Sequence, residues 1–166
     1  VYILPYIYNL TVTKEDNTKP YLFELQYKGN INKSNKPHGD GSLYFDNKIK
    51  YIGTFENGLI IKGLMFDSNN NLQYDGSFVN KLPQGEGTFY KNSYKIYEGQ
   101  IINGKRHGNG ISYWETFPDS NIKEGIKEWN GGWKNDIKHG KGTLYSEFGI
   151  LICCCMFEYN QMGEVY

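Results

Sequence analysis

Apolar and polar side chains alternate along short stretches of this chain, which is the period-2 pattern of half-buried β-strands. The clearest stretch runs from Tyr97 to Trp114. It contains a strand over Tyr97–Ile102, a turn at Asn103-Gly104-Lys105-Arg106 and a second strand that starts at His107. Asn-Gly is a strong hairpin signal because both residues accept a positive φ at low cost. The stretch therefore predicts a β-hairpin.

The same pattern of a leading aromatic residue, a glycine and a second aromatic residue recurs along the chain. The leading aromatic residues lie 23 or 24 residues apart, and 32 apart at the last step: Tyr27, Tyr51, Tyr74, Tyr97 and Trp129. A fixed period in the twenties indicates an array of structural repeats. No stretch shows the apolar period of a helix. We therefore predict an all-β fold: an elongated, single-layer, twisted antiparallel sheet of consecutive hairpins, almost without helix.

The repeat positions divide the chain into three parts. Residues 1–26 predict a capping hairpin, because an uncovered edge strand promotes aggregation. For residues 27–148 we predict five repeats, at 27–50, 51–73, 74–96, 97–128 with an inserted loop, and 129–148. Residues 149–166 predict a degenerate repeat or a C-terminal cap. In that last part Cys153 replaces the leading aromatic residue, Cys155 the glycine and Phe157 the second aromatic residue.

Glycines within the predicted strands indicate that another group approaches the backbone closely. Gly99 follows Tyr97 by two residues and therefore shares its face of the strand. We expect an aromatic ring from the neighbouring repeat to lie across such a glycine, as in aromatic rescue of strand glycines. The hydroxyl of Tyr97 would then be available to bond a partner's backbone.

Composition and charge exclude several functions. The formal net charge is zero, with 18 basic and 18 acidic residues, so the basic surface of a nucleic-acid-binding protein is missing. No apolar run approaches the roughly 18 residues of a membrane-spanning helix. Nucleophile motifs, phosphate-binding loops and metal-ligand spacings do not occur, so we predict no enzyme activity and no cofactor. The first residue is Val1, and we expect the chain to be a piece of a longer protein.

The repeated letters are aromatic-x-Gly-x-aromatic-x-Asn-Gly, followed by His-Gly-x-Gly-x-aliphatic-x-aromatic. They resemble the MORN repeat (membrane occupation and recognition nexus) over Tyr27–Tyr145. The resemblance implies a sheet that curves into a groove and a non-enzymatic scaffold role in the cytoplasm, at a membrane or the cytoskeleton. It also leaves open an accessory region of a larger enzyme, such as a lipid kinase or a lysine methyltransferase.

The aromatic rows are the predicted partner-binding surface, because contiguous exposed aromatic surface marks an interaction site. We expect one side of each ring to remain accessible in a single-layer sheet. The predicted binding residues are Tyr51, Phe55, Tyr74, Phe78, Tyr97, Ile101, Trp129 and Trp133. The leading hypothesis is an extended or helical segment of a protein partner in this groove. The inserted loop at 116–124 is the alternative binding element, since insertions in repeat proteins often carry binding.

The second hypothesis is a module that binds phosphoinositide headgroups at a membrane surface. Each Lys near an anionic membrane contributes only about 1 kcal/mol, so several must cluster. Lys105-Arg106 and the Lys138-His139 step with Lys141 form small basic spots at one edge. The zero net charge argues against this reading.

Histidine and cysteine give no metal prediction. His38, His107 and His139 occupy equivalent places in different repeats, which lie roughly 10 Å apart even in adjacent hairpins. We therefore interpret them as hydrogen-bonding residues of the hairpins.

The run of three cysteines, Cys153, Cys154 and Cys155, permits two readings. It is a buried apolar strand over Ile150–Phe157, since free Cys behaves as a small apolar residue. Alternatively, it is an exposed cluster that is modified by S-palmitoylation.

Overall fold

The computed structural model describes residues 6–13, 22–115, 125–159 and 161–165, and every regular element in these ranges is a strand. The strands are β1 (Tyr6–Thr13), β2 (Leu22–Ile31), β3 (Pro37–Phe45), β4 (Lys48–Glu56), β5 (Leu59–Phe66), β6 (Leu72–Val79), β7 (Leu82–Lys91), β8 (Tyr94–Ile102), β9 (Lys105–Tyr113), β10 (Lys127–Lys134), β11 (Ile137–Tyr145), β12 (Leu151–Glu158) and β13 (Gln161–Val165). Within the described ranges there is accordingly no helix long and apolar enough to cross a membrane. The predicted inserted loop at 116–124 lies outside the described residues.

The chain forms two compact units, Val1–Gln73 and Tyr74–Tyr166. In the first unit β1 to β5 pair in chain order, each strand antiparallel to the next. In the second unit β6 to β13 follow the same rule. The predicted all-β fold of consecutive antiparallel hairpins is therefore confirmed.

The N-terminal strand adds directly to the first repeat. β1 pairs with β2 from Thr13 opposite Leu22 to Tyr6 opposite Gly29. The same β2 strand then pairs with β3, where Gly29 faces Gly41. A single strand thus serves both the N-terminal segment and the first repeat, and the division at residue 26 falls inside it.

The hairpin turns are shorter than predicted. At the β8–β9 turn both central residues have positive φ, 51° at Asn103 and 76° at Gly104, as a type I′ turn requires. β9 begins at Lys105, so Lys105 and Arg106 belong to the strand and not to the turn. The Asn-Gly signal located the turn, and its length was predicted two residues too long.

One row of glycines crosses each unit at right angles to the strands. In the first unit the paired positions are Gly29, Gly41, Gly53 and Gly63. In the second unit they are Gly76, Gly87, Gly99, Gly110, Gly131 and Gly142, and the row ends at Cys155. The faces predicted for the glycines are therefore correct, and the leading aromatic residues lie on the same face. We call this the aromatic face.

Two kinds of β-bulge interrupt this regular pairing. One falls just after the glycine of the first strand, for example where His107, Gly108 and Asn109 of β9 lie opposite the single residue Gln100 of β8. The other falls just before the leading aromatic residue, at Ile96 and at Glu128. A bulged residue leaves the ladder and its side chain can be redirected. Both kinds of bulge decide what the aromatic face presents.

Candidate functional site on the aromatic face

In four repeats, which we call the regular repeats, the leading ring lies over the glycines of its own hairpin: Tyr27, Tyr74, Tyr97 and Trp129. A Cβ atom placed on Gly110 would lie 2.2 Å from the Tyr97 hydroxyl oxygen, and one on Gly87 would lie 2.5 Å from that of Tyr74. On Gly142 it would lie 2.4 Å from the Trp129 ring. The expectation of a ring from the neighbouring repeat is therefore wrong. The ring and its own glycines share one face only two residues apart, so they meet first.

The polar group of each ring bonds the backbone at the adjacent bulge. Tyr97 donates its hydroxyl to the carbonyl of Gln100 at 2.8 Å. Tyr74 bonds Ser77 O at 2.9 Å and Tyr27 bonds Asn30 O at 3.0 Å in the same way. In the last regular repeat the indole Nε1 of Trp129 donates to Gly132 O at 3.1 Å. The rings thus satisfy carbonyls that the bulge removes from regular pairing.

These bonds leave no hydroxyl for a partner at Tyr97, whose side chain is 0% exposed. The expectation of a free hydroxyl there is wrong. Burial raises the pKa of Tyr97 to about 12, and burial has the same effect on Tyr74, whose pKa also rises to about 12. Both phenols therefore remain protonated donors at physiological pH.

The second aromatic residues Phe55 and Trp133 pack edge-on against the leading ring of the preceding repeat, whereas Phe78 packs against Tyr74 of its own repeat. Tyr27 and Phe55 have ring centroids 5.1 Å apart, and Tyr97 and Trp133 have theirs 5.5 Å apart. Edge-to-face pairs of this kind contribute about 0.5–1.5 kcal/mol beyond the area that they bury. Adjacent repeats are therefore joined ring to ring.

Burial changes the interpretation of the predicted partner-binding row. Seven of its members are at most 4% exposed: Phe55, Tyr74, Phe78, Tyr97, Ile101, Trp129 and Trp133. Tyr51 alone in the row is half-buried. The expectation that one side of each ring remains accessible is wrong for the six rings among these seven residues, and the three leading rings of the six lie against glycine backbone. Whether the row binds a partner stays a prediction.

An open cleft of about 870 Å³ does lie on the aromatic face of the second unit. Its floor is formed by Phe89, Tyr97 and Ser112, which are paired across β7, β8 and β9. The bulges before Tyr97 and Trp129 bring Ile96 and Glu128 into the lining as well. Of these five residues only Tyr97 belongs to the predicted partner-binding row.

A half-buried carboxylate is the chemical centre of this cleft. Ser112 is 1% exposed and donates its hydroxyl to Glu128 Oε2 at 2.7 Å. Lys138 Nζ lies 2.5 Å from the other oxygen, Oε1. Ser112 stands at the position that Phe89 and Leu144 fill in the neighbouring repeats, and that polar break in an apolar pattern was the signal that the sequence analysis missed.

Comparison with protein-family models places three consecutive matches in this unit. The MORN repeat matches residues 74–94, 97–120 and 129–147. The chain is a MORN-repeat protein. MORN repeats are general modules for interaction with proteins and membranes. A search of curated proteins found no sequence that matches the chain.

The three matched MORN repeats contain the floor of the cleft and most of its charged rim. Four carboxylates line it, from Glu115, Glu128, Asp136 and Glu147, against two cations, Lys91 and Arg106. Lys91 pairs with Glu115 at 2.6 Å and Arg106 with Asp136 at 3.2 Å. Lys138, from outside the lining, pairs with Glu128, so the charge of Glu147 is the negative charge in excess.

The Arg106 guanidinium also lies over two aromatic rings of the MORN repeats, those of Tyr97 and Trp133. Its guanidinium carbon lies 4.2 Å from the centre of the Trp133 ring and 5.9 Å from that of Tyr97. Of the basic pair predicted at Lys105-Arg106, the Arg106 side chain therefore makes contacts within the protein. A cation–π contact at such a site contributes about 0.5–1 kcal/mol.

The cysteines and histidines lie apart from the cleft. Cys153 is 9% exposed and Cys155 is 0% exposed, while Cys154 is half-buried. The prediction that all three cysteines form an exposed cluster is therefore wrong. The Nδ1 atoms of His107 and His139 are buried without a hydrogen-bond partner among the described residues, so the predicted hydrogen bonds are not made from these atoms.

Proposed function

We propose that this MORN-repeat protein is a non-enzymatic scaffold that binds a basic segment of a protein partner in the cleft of its aromatic face. The observation that carries the proposal is the cleft itself, about 870 Å³ in volume, with a rigid aromatic floor and a carboxylate-rich rim. Of the two rings in that floor, Tyr97 is fully buried over Gly110 with its hydroxyl bonded to Gln100 O, and Phe89 is the half-buried ring that a partner would contact. A preformed floor lowers the conformational cost of binding.

Charge favours a basic protein segment over an anionic lipid headgroup as the occupant. Phosphates require Lys or Arg that is free to approach them. Both cations of the lining already pair with carboxylates, at 2.6 Å for Lys91 and 3.2 Å for Arg106. Glu147 at the rim is exposed and adds a negative charge. We place the scaffold in the cytoplasm, at a membrane- or cytoskeleton-associated assembly, as its family resemblance implies.

The direct test compares two charge reversals. Glu147→Lys changes the rim, and Glu158→Lys makes the same change at an exposed site outside the cleft. The probe is a synthetic peptide of alternating Leu and Lys, with a Leu and Glu peptide as its acidic counterpart, and binding is measured by fluorescence anisotropy. We expect Glu147→Lys to weaken binding of the basic peptide about fivefold, since one charge at the rim contributes about 1 kcal/mol to the binding free energy. Glu158→Lys should leave the affinity unchanged.

A second measurement identifies the class of the natural occupant. A photo-crosslinking side chain is placed at Glu147, in the rim, and at Lys141, an exposed site outside the cleft lining. Protein adducts from the first position alone support the proposal. Lipid adducts there, or salt-sensitive sedimentation with phosphoinositide vesicles that Glu147→Lys strengthens, would favour the lipid-binding reading. Equal peptide binding by both charge variants would overturn the assignment of the cleft.

A further inference from the structure

Three sulfur atoms meet at the last hairpin, outside the cleft. Cys153 Sγ lies 2.6 Å from Cys155 Sγ and 3.8 Å from Met162 Sδ. The two cysteines share one face of β12, whose side chains alternate, and Cys154 points to the other face. Met162 comes from β13, which pairs with β12 through Phe157. The cluster therefore joins both strands of the hairpin.

We propose that Cys153, Cys155 and Met162 form a binding site for a soft monovalent metal ion, Cu(I). Thiolate and thioether sulfurs are the ligands that select Cu(I). Zinc requires four ligands, and the cluster has only two thiols. No group of three or more His, Cys, Asp or Glu side chains that could hold a metal occurs among the described residues, so a harder ion lacks ligands there. This inference revises the sequence prediction of no metal site.

The surroundings of the sulfurs suit such an ion. Cys155 is fully buried, and Phe157 beside it is 7% exposed and packs against Trp129, with ring centroids 4.9 Å apart. These rings keep water from the thiols. Met162 is 56% exposed, so the third ligand also provides a path for entry.

Charge balances at this site without any oxidation or reduction. When Cu(I) binds, the two thiols release two protons to solvent, and the resulting dithiolate complex carries one negative charge. The Lys138 ammonium lies 5.7 Å from the centre of the Phe157 ring, on the strand β11 that pairs with β12. Lys138 therefore provides the nearby positive charge.

Titration of the reduced protein with Cu(I), in competition with the chelator bicinchoninate and without oxygen, tests the proposal. We expect one bound ion per chain, with ultraviolet thiolate-to-metal absorption. Cys153→Ser and Cys155→Ser should each abolish stoichiometric binding. Met162→Leu should weaken binding about tenfold, which is about 1.4 kcal/mol. Cys154→Ser is the matched control and should bind as the unchanged chain does.

Three results would overturn the site. They are failure of the unchanged chain to bind Cu(I) against the chelator, equal loss of binding in Cys154→Ser, or persistence of binding in Cys153→Ser. If mass spectrometry finds a Cys153–Cys155 disulfide in air and the reduced chain ignores Cu(I), the pair is a redox couple instead. Circular dichroism checks that each variant folds, and Cys155→Ala replaces Cys155→Ser if the serine variant does not.

Discussion

Two neighbouring hairpins of the second unit differ in what lies over the glycine positions of the sheet. In β10–β11 the Trp129 ring lies over Gly131 and Gly142, and its indole N–H bonds Gly132 O at 3.1 Å. In β12–β13 none of the described residues places a ring there, because Cys153 stands in the equivalent register position opposite Leu144. The glycine position opposite Gly142 then holds Cys155, a residue with a side chain. The ring above Gly142 therefore excludes a side chain there, and so does the facing strand, since Asn130 O would lie 2.6 Å from the added Cβ.

The exchange of a ring for a thiol also changes what each hairpin exposes. Trp129 and Trp133 are 0% and 4% exposed, so the regular repeat buries its large side chains. In the last hairpin Leu151, Ile152 and Met162 are 56%, 57% and 56% exposed. A ring that spans two strands covers area that a small thiol cannot. The ring and its glycines thus form a coupled pair, and changing one without the other should be costly.

Substitution of the paired residues Gly142 and Cys155 should break this comparison with the largest effect. A Cβ at Gly142 would lie 2.4 Å from the Trp129 ring, whereas Cys155 already carries one. We expect Gly142→Ala to lower the free energy of unfolding by about 3 kcal/mol, the upper end of overpacking costs. Cys155→Ala should cost only about 1 kcal/mol. Chemical denaturation measures both.

Lys141→Ala is the control for these two variants, because Lys141 is exposed on the other face of the same strand. It should change stability by less than about 0.5 kcal/mol. Equal losses for Gly142→Ala and Cys155→Ala would show that the ring moves aside freely, and that glycine and ring are not coupled.

Removal of one hydroxyl should have the next largest effect. Tyr97→Phe deletes the part-buried bond to Gln100 O, so we expect a loss of about 1.5 kcal/mol, the upper end of the net contribution of one hydrogen bond. The matched variant in the last hairpin is Tyr159→Phe, since Tyr159 is 67% exposed and should tolerate the change. Thermal denaturation of both variants provides the comparison. A neutral Tyr97→Phe would mean that water or a shift of the bulge replaces the bond.

The bulges explain why the sequence predicted the strands and faces but not the burial. Alternation and Asn-Gly steps identify hairpins locally, as at Asn103-Gly104. Whether the Tyr97 ring reaches its own glycines or those of a neighbour depends on the bulge that β9 forms opposite Gln100, which leaves no mark in the alternation. One signal was available. The leading position always holds Tyr or Trp, which carry a donor, whereas the second position also accepts Phe55 or Ile101.

The cleft was harder to foresee than the clamped rings. Its half-buried carboxylate depends on Glu128 being bulged onto the aromatic face and on Ser112 replacing an apolar residue. Only the serine is visible as a departure from the repeat pattern. The rim residue Glu147 lies 19 positions after Glu128, and the β10–β11 hairpin brings both residues to the same cleft. The period of the repeat alone does not predict that they meet.

Alkaline titration should separate the two hairpin types by pH. Burial raises the pKa of Cys155 from 9.0 to about 11, so the unfolded chain loses this proton first. Stability from the thiol is intact below pH 9 and is lost between pH 9 and 11. Burial raises the pKa of Tyr97 from 10.0 to about 12, so its contribution is lost between pH 10 and 12.

Unfolding by urea at each pH measures these two windows. Cys155→Ala should flatten the loss between pH 9 and 10, and Tyr97→Phe should reduce the loss only above pH 10. Cys154→Ala, on the other face of β12, is the control for the thiol window. Identical pH profiles for the unchanged chain and Cys155→Ala would contradict a thiol that is protonated by burial.

The smallest effect concerns the lysine that borders both hairpins. Lys138 lies on β11, pairs with Glu128 at 2.5 Å and contacts the Phe157 ring of the last hairpin. In this ion pair the side chain of Lys138 is 16% exposed and that of Glu128 is 25% exposed. Lys91 and Glu115 form a pair at 2.6 Å with side chains 54% and 67% exposed. Lys138→Met keeps the apolar stem but leaves Glu128 without its cation, so we expect a loss of about 1 kcal/mol. Lys91→Met should stay within about 0.5 kcal/mol of the unchanged chain.

Salt decides whether burial is the cause of that difference. Exposed charges are screened within about 10 Å at 0.1 M salt, and partly buried pairs are screened much less. Raising the salt concentration should therefore erase any effect of Lys91→Met and leave most of the effect of Lys138→Met. If the Lys138→Met loss disappears in high salt, the pair behaves as a surface contact. The last hairpin would then be held to the regular repeats by the Trp129–Phe157 ring contact and the backbone ladder.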